Sequence, residues 1–367
     1  MEQWKEYKLG DISNMKYGKL PPKQNNGSYP IWSGYRNVGF ATTYNCRKGT
    51  IIVVARGVGG TGDVKISSED CFLTNLSIAV ELDNKICEPL YFYYKYKLSN
   101  LRYLDTGSAQ SQITIDDLKR LSLKLPPLEE QKRITEILSS IDYKIELNRR
   151  INDNLEQQAQ ALFDHYFDSG SIYLEDSIMG CLTDIAVYLN GLAMHKFPAT
   201  DIERSLPVLK IKELGQRKCD DCSDRCSDSI DADYIIDNED IIFSWSGTLM
   251  VDVWCGGKCG LNQHLFKVTP LKNYPRWFVY YWTNRHLKKF KLIAKDKAVT
   301  MGHIRRGDLE NAEVAIPTNL NMLEINARIN PLFQSIIDRR LEITKLENIR
   351  DALLPKLMSG ELTINEI

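Results

Sequence analysis

The sequence lacks any uninterrupted run of the ~18–20 apolar residues that a membrane-spanning helix needs. Its opening Met-Glu-Gln-Trp-Lys-Glu has no apolar h-region, so no secretory signal is read there and a cytoplasmic address is expected. Histidine is scarce. The five present form no H-x-x-x-H or H-E-x-x-H pair, which removes the common helical metal sites. There is no nucleophile elbow, no kinase set and no Asn/Asp-Pro-Pro-aromatic motif of amino-methyltransferases. A P-loop fails because Asp63 stands where lysine must follow glycine. No catalytic signature remains, and no cofactor is expected. An excess of one charge is missing too: 47 Lys and Arg against 48 Asp and Glu leave a net −1.

What is present is a soluble globular composition, 43% hydrophobic and 26% charged over 367 residues, which excludes a disordered or collagen-like chain. The length suggests two or more domains at roughly one per 150 residues. The near-zero charge hides strong local bias. Residues 1–125 carry 17 basic and 12 acidic groups, and residues 126–170 carry 5 and 9. Residues 219–240 hold nine acids against Arg225, whereas 272–306 hold ten bases against Asp296. Nine cysteines form no evenly spaced framework, so reduced thiols are the default. Cys219-x2-Cys222-x3-Cys226 with Cys255-x3-Cys259 reads either as a tetrahedral zinc site or as free thiols on an acidic loop. No metal is expected.

Internal repetition decides the organisation. Shifted by 191 residues, Ile113, Asp117 and Leu118 fall on Ile304, Asp308 and Leu309, and Leu125-Pro126 on Ile316-Pro317. Upstream, Gly49–Gly57 parallels Glu239–Gly247, Leu73–Val80 parallels Leu261–Val268, and Leu9-Gly-Asp-Ile12 echoes Leu182-Thr-Asp-Ile185. The chain therefore reads as two copies of one unit, each a globular module followed by an apolar-periodic tail. The expected boundaries are 1–125 and 171–316 for the modules, 126–170 and 317–367 for the tails.

The first tail steps through Ile134, Leu138, Ile141, Ile145, Leu155 and Leu162, and the second through Ile325, Ile329, Leu332, Ile336, Ile343, Leu346 and Leu353. Spacings of three and four sustained over about four heptads predict long helices with a coiled-coil seam, and all six positions of the first tail with Ile336, Ile343, Leu346 and Leu353 of the second are the candidate subunit interface. Asn148, Asn152, Arg339 and Arg350 interrupt the seam, either as solvent-exposed positions or as devices that fix register. Pro331 should kink the second helix or mark its start.

The modules read as mixed but mostly β, with strands at Thr50–Ala55, Ile78–Leu82, Ile241–Trp245 and Leu265–Val268, and helices at Tyr91–Leu98 and Trp277–Leu287. Gly57-Val-Gly-Gly-Thr-Gly62 matches G-x-G-x-x-G after a strand, yet Asp63–Ser67 alternates like another strand rather than a helix. A β-turn is the favoured reading, and a nucleotide site the other. Residues 272–306 interleave Lys and Arg with Trp277, Tyr280, Tyr281, Trp282 and Phe290, as an aromatic-cored helix with a phosphate-facing basic side would, or as a solvated basic helix would. Groups able to read bases lie in expected loops: Arg56, Asn75, Gln110 and Gln112 in the first module, Gln263, His264 and His303 in the second. Trp245, Lys295 and Lys297 complete the candidate DNA-binding set.

Leu125-Pro-Pro-Leu-Glu-Glu-Gln-Lys-Arg-Ile134, Phe243-Ser-Trp-Ser-Gly-Thr248 with Leu261-Asn-Gln-His-Leu265, and Leu353-Leu-Pro-Lys-Leu-Met-Ser-Gly-Glu361 resemble the specificity subunit of type I restriction-modification enzymes. The resemblance covers essentially the whole chain. It implies an α+β fold: two mostly β target recognition domains alternating with two long helices that pair as an antiparallel coiled coil, in a pseudo-two-fold repeat. It also implies a non-catalytic subunit that reads a bipartite site in double-stranded DNA and seats two methyltransferase subunits, joined by restriction subunits, with no membrane partner. The second tail departs from the pattern, with Pro317-Thr-Asn-Leu-Asn-Met322 where the first has Pro126-Pro-Leu-Glu-Glu-Gln131. A coiled-coil scaffold that binds protein rather than DNA is the alternative.

Overall fold

The computed structural model describes residues 4–21, 26–34, 36–57, 60–97, 99–105, 111–168, 171, 173, 176–202, 204–296 and 303–364. The chain divides into two compact units, Met1–Tyr143 with Glu347–Ile367, and Lys144–Leu346.

Unit 1 begins with β1 (Lys5–Lys8), β2 (Ser13–Tyr17), β3 (Tyr29–Ser33) and β4 (Arg36–Ala41). β5 (Ile51–Val54), β6 (Val64–Ile66), β7 (Phe72–Leu73) and β8 (Ser77–Leu82) follow. Then come α1 (Pro89–Lys97), α2 (Ile115–Lys119), β9 (Ser122–Leu125) and α3 (Leu128–Phe167), which belongs to this unit as far as Tyr143. An antiparallel sheet in the order β2-β8-β5-β6 carries the core, beside a sheet β4-β3-β7 whose β3–β7 pair is parallel. β5 is buried at all four residues, so the β-branched run Ile51-Ile-Val-Val54 suits a strand covered on both faces. Tyr91 and Phe92 of α1 pack on this sheet, and Ile134 and Leu138 of α3 join the same core with Leu354 and Leu357.

Unit 2 holds the rest of α3, then β10 (Ile178–Cys181), α4 (Leu182–Ile185), β11 (Ala186–Asn190), β12 (Ser205–Leu209) and α5 (Ile211–Gln216). β13 (Arg225–Ser227), β14 (Ile235–Ile236), β15 (Ile241–Ser244), β16 (Met250–Val253), β17 (Cys259–Leu261) and β18 (Leu265–Pro270) follow. The unit continues with α6 (Arg276–Asp296), α7 (Arg306–Glu310), β19 (Glu313–Ile316) and α8 (Asn319–Ser359), which it contains as far as Leu346. Its sheet β11-β18-β15-β16 repeats the order of β2-β8-β5-β6, and β12–β17 is the counterpart of the parallel pair β3–β7. Repeated aspartates have a local cause. The Asp117 carboxylate accepts from Thr114 N–H at 2.9 Å and Asp308 from Arg305 N–H at 2.8 Å, each closing the first turn of a short helix.

The long helices α3 and α8 pack together. In unit 2 they run antiparallel: Asn148 Nδ2 donates to Glu342 Oε2 at 2.8 Å, and four residues on, Asn152 Nδ2 donates to Ile336 O at 3.4 Å. Both asparagines are buried, so the exposed reading of these positions is wrong. Their bonds fit only one register, because a slid helix would strand a buried amide. In unit 1, Arg350 NH1 donates to Asp142 Oδ1 at 2.8 Å. α8 runs unbroken through Pro331, which is exposed, and starts at Asn319 instead. Ile325, Ile329, Phe333 and Ile337, spaced by four, are buried in the core of unit 2 that also holds Ala159 and Phe163 of α3.

The expected strands and helices are present, with α6 extending to Asp296. After Gly57 the chain turns back into β6, paired antiparallel with β5, so no helix N-terminus is available to hold a phosphate and the nucleotide reading fails. Among the described residues, no helix is long and apolar enough to cross a membrane.

Candidate nucleic-acid interface

One tight turn occurs in both units with the same backbone frame. In unit 1 it joins β7 to β8 through Thr74–Leu76, and in unit 2 it joins β17 to β18 through Asn262–His264. Ser77 N–H donates to Thr74 O at 3.1 Å, and Leu265 N–H to Asn262 O at 3.0 Å. The end of the neighbouring strand clasps each turn: Ala55 N–H donates to Leu76 O at 2.8 Å, and Trp245 N–H to His264 O at 3.3 Å. A third segment closes the frame, with Ile113 N–H on Ala55 O at 2.9 Å and Ile304 N–H on Trp245 O at 3.0 Å. Bridges Arg56↔Gln112 and Ser246↔His303 sit beside them.

Glycine is required where a fourth segment crosses behind. A Cβ on Gly18 would come within 2.2 Å of Thr74 O and 2.5 Å of Leu73 O, and one on Gly191 within 2.2 Å of Asn262 O and 2.5 Å of Leu261 O. No L side chain fits there. These two glycines are the frame residues that sequence reading missed. Their common cue, a glycine ending the second strand of each module, is weak without the contact.

The frame brings together most of the expected site residues of each unit. In unit 1, Arg56 is exposed, and Asn75 and Gln112 are half-buried. Gln112 N–H donates to Asp105 Oδ1 at 2.8 Å, which fixes that strand. Gln110 lies outside the described residues. In unit 2, Trp245 Nε1 donates to Asn190 Oδ1 at 2.9 Å, and its ring lies 6.2 Å from both His264 and His303. Ser246 Oγ lies 2.9 Å from His264 Nδ1, holding the imidazole beside the half-buried Gln263. Positions 75 and 263 correspond, as do 56 and 246, so one backbone presents different polar groups in the two units.

α6 gives unit 2 a basic face. Trp277, Phe278, Tyr281, Trp282 and Phe290 are buried, and Phe290 stacks on Phe243 of β15 at 5.8 Å. Lys288, Lys289, Lys291 and Lys295 face outward with no ion pair among the described residues. Lys297 lies outside the described residues. Arg285 is committed elsewhere, 3.7 Å from Asp164 and bonded to Asp168. The acids of 219–240 are partly matched, Asp240 by Lys267 at 3.2 Å, Asp224 by Lys210 and Glu239 by Arg276.

Of the interface candidates, Ile134, Leu138, Ile145 and Ile336 are buried, whereas Ile141, Leu155, Leu162, Ile343, Leu346 and Leu353 are half-buried. The five cysteines weighed for zinc are dispersed. Cys226 is buried with Met194, Val208 and Ile230, Cys255 belongs to the main core of unit 2, and Cys222 is exposed. Among the described residues no three or more His, Cys, Asp or Glu side chains gather as a metal site would need, so the zinc reading is not supported.

The family described as "Type I restriction modification DNA specificity domain" matches residues 1–157 and again 180–350. The type I restriction enzyme MjaIX specificity subunit of Methanocaldococcus jannaschii is 26% identical over 99% of this chain and 89% of its own. The HindI specificity subunit of Haemophilus influenzae is 52% identical over 56 residues, 15% of this chain and 12% of that one. The crystal structure of the S subunit of a type I restriction-modification system from M. genitalium superposes with a TM-score of 0.68 at 17% identity, over 96% of both chains.

Proposed function

The chain belongs to the type I restriction-modification specificity subunits, and we propose that its two modules each read one half of a bipartite site in double-stranded DNA. Members of this family are non-catalytic: they recognise DNA and position methyltransferase and restriction subunits. The observation that carries the finer reading is the turn built twice on one backbone frame with different side chains. A shared frame suits two modules that approach DNA in the same way, and differing side chains suit different half-sites.

In this reading Arg56, Asn75, Gln110 and Gln112 serve one half-site, and Trp245, Gln263, His264 and His303 the other. Lys295 and Lys297 contact phosphate. Residues 1–125 and 171–316 are the recognition domains, and 126–170 and 317–367 the helices whose seam seats two methyltransferase subunits. Restriction subunits join these to complete the nuclease, in the cytoplasm. Co-expression with a cognate methyltransferase subunit, followed by mapping of every methylated adenine, tests the proposal: a two-part motif with an unread spacer supports it, and a continuous or absent motif refutes it. Salt titration separates it from the protein-binding scaffold, because several phosphate contacts must weaken binding steeply as salt rises.

A further inference from the structure

Two thiols face each other behind the turn of unit 1. Cys46 and Cys71 form an isolated antiparallel bridge and exchange both backbone hydrogen bonds, Cys46 N–H to Cys71 O at 3.0 Å and Cys71 N–H to Cys46 O at 2.9 Å. A pair of this kind holds its Cα atoms about 5.5 Å apart, inside the ~4.4–6.8 Å that a disulfide spans. Both side chains are buried in one small cluster with Ile52, Leu73 and Ala79. The thiols are unequal. The Cys46 S–H donates to Arg47 O at 3.7 Å and Cys71 Sγ lies 3.4 Å from Ser67 Oγ, while the nearness of the two thiols lowers Cys71 below the ordinary thiol range. The same contact pushes Cys46 up. A groove of about 820 Å³ is lined by Asn45 and Arg47, the chain neighbours of Cys46, and the two thiols themselves lie buried beneath the surface.

We propose that Cys46 and Cys71 are a redox-active dithiol that a low-molecular-weight disulfide closes to a disulfide bond, and that closure reshapes the turn Thr74–Leu76. The Cys71 thiolate attacks one sulfur of the oxidant, breaks its S–S bond and releases one small thiolate. That thiolate takes the proton of Cys46. The Cys46 sulfur then attacks Cys71 Sγ and expels the second small thiolate, which recovers from solvent the proton that Cys71 had lost. Two protein thiols and one small disulfide become one protein disulfide and two small thiols.

The turn must feel this closure. Directly hydrogen-bonded residues keep their Cβ atoms up to about 5.5 Å apart, whereas a disulfide brings them to about 3.8 Å, so the two segments are drawn together. Asn45, beside Cys46, grips the strand that opens into the turn: its Oδ1 accepts from Leu73 N–H at 2.7 Å and its Nδ2 donates to Leu73 O at 2.9 Å. A bond strained in this way is more easily reduced again. Unit 2 places Cys259 at the position of Cys71, and a contact with Cys259 lowers Cys219. In that unit Ile236 occupies the bridge position of Cys46, and the partner thiol arrives from the loop after α5.

The folded full-length chain is treated with oxidised glutathione until the exposed Cys222 is fully glutathionylated, then alkylated, digested and mapped by mass spectrometry, with and without dithiothreitol. A Cys46–Cys71 linked peptide is expected, lost on reduction, with Cys87, buried apart from them, still reduced. Hydrogen exchange of the amides from Leu73 to Ser77 should change several-fold on oxidation and return with dithiothreitol. Free thiols at Cys46 and Cys71 under these conditions overturn the dithiol. A linked peptide with unchanged exchange overturns the coupling to the turn. Neither outcome bears on DNA reading, which the methylation map decides on reduced protein.

Discussion

Arg340 is the charge that ties α8 to both of its neighbours in unit 2, and replacing it tests how that unit is held together. Its side chain is 9% exposed. NH1 donates to Asp252 Oδ1 at 2.6 Å on β16, and NH2 donates to Glu156 Oε1 at 2.7 Å on α3. Burial opposes the charge, but Asp252, Tyr280 and Glu156 more than offset it, and the guanidinium stays protonated. Asp252 keeps a second cation, Arg217 Nε at 2.7 Å.

Arg340→Met retains the apolar stem and removes the fork. Breaking a buried pair from one side costs about 3–5 kcal/mol, because the remaining charge is left in the interior. Arg217 still serves one oxygen of Asp252, so the lower end, about 3 kcal/mol, is expected. Glu156 is 41% exposed and regains water, adding at most ~1 kcal/mol. At roughly 2–4 °C per kcal/mol for a unit of this size, the melting temperature should fall by about 6–16 °C. Calorimetry with urea titration measures both quantities. Asp252→Asn should cost a similar amount, and the double variant should fall short of the sum by more than ~1 kcal/mol. A shift below 2 °C, or strict additivity, would refute the reasoning.

Four further outcomes are expected. Burial raises the Asp142 carboxyl, but hydrogen bonds from Lys97 and Arg350 carry it below the ordinary range. Its contribution is therefore present above the unfolded value of ~3.9 and lost as pH falls through the depressed one; Asp142→Asn should flatten the acid limb of stability. Phe163, fully buried with Tyr281 stacked at 5.3 Å, should cost about 3–5 kcal/mol as Phe163→Ala in chemical denaturation. Lys291→Ala should lower the slope of log K against log salt by about 0.9 without changing the recognised sequence, and a full change of motif would contradict the phosphate role. Gln263→Ala should relax one half-site alone, at roughly 1–3 kcal/mol per lost base contact, as read from the methylation map.

Much of the fold is local in origin and so was legible. β5 is a run of β-branched residues, α6 alternates buried aromatics with outward lysines, and both long helices keep their apolar period. What escaped was decided by distant partners. Pro331 reads as a breaker because it removes a backbone bond, yet it faces solvent on a helix held by Ile329 and Phe333 on its other side. The asparagines of the seam were ambiguous until Glu342 and the Ile336 carbonyl were seen to receive them. β3 and β4 carried no clear alternation, with a register shift between Pro30 and Trp32.

The candidate site divides along the same line. Its polar side chains could be picked out by type, because Arg, Asn, Gln and His near expected turns are the groups that read base edges. The frame that gathers them could not, since its parts lie at different distances along the two copies. Gly18 precedes Leu73 by 55 residues, whereas Gly191 precedes Leu261 by 70. A linear shift that aligns the turns therefore misaligns the glycines, although both glycines donate to equivalent carbonyls, Gly18 N–H to Ser77 O and Gly191 N–H to Leu265 O, each at 3.0 Å. Backbone contacts tolerate any loop length between their ends, because closing a longer loop costs only a few tenths of a kcal/mol to ~0.6 per doubling. The frame is thus preserved while the intervening loops and the side chains on the turn are free to differ, which is the arrangement two modules need if they meet DNA alike and read it differently.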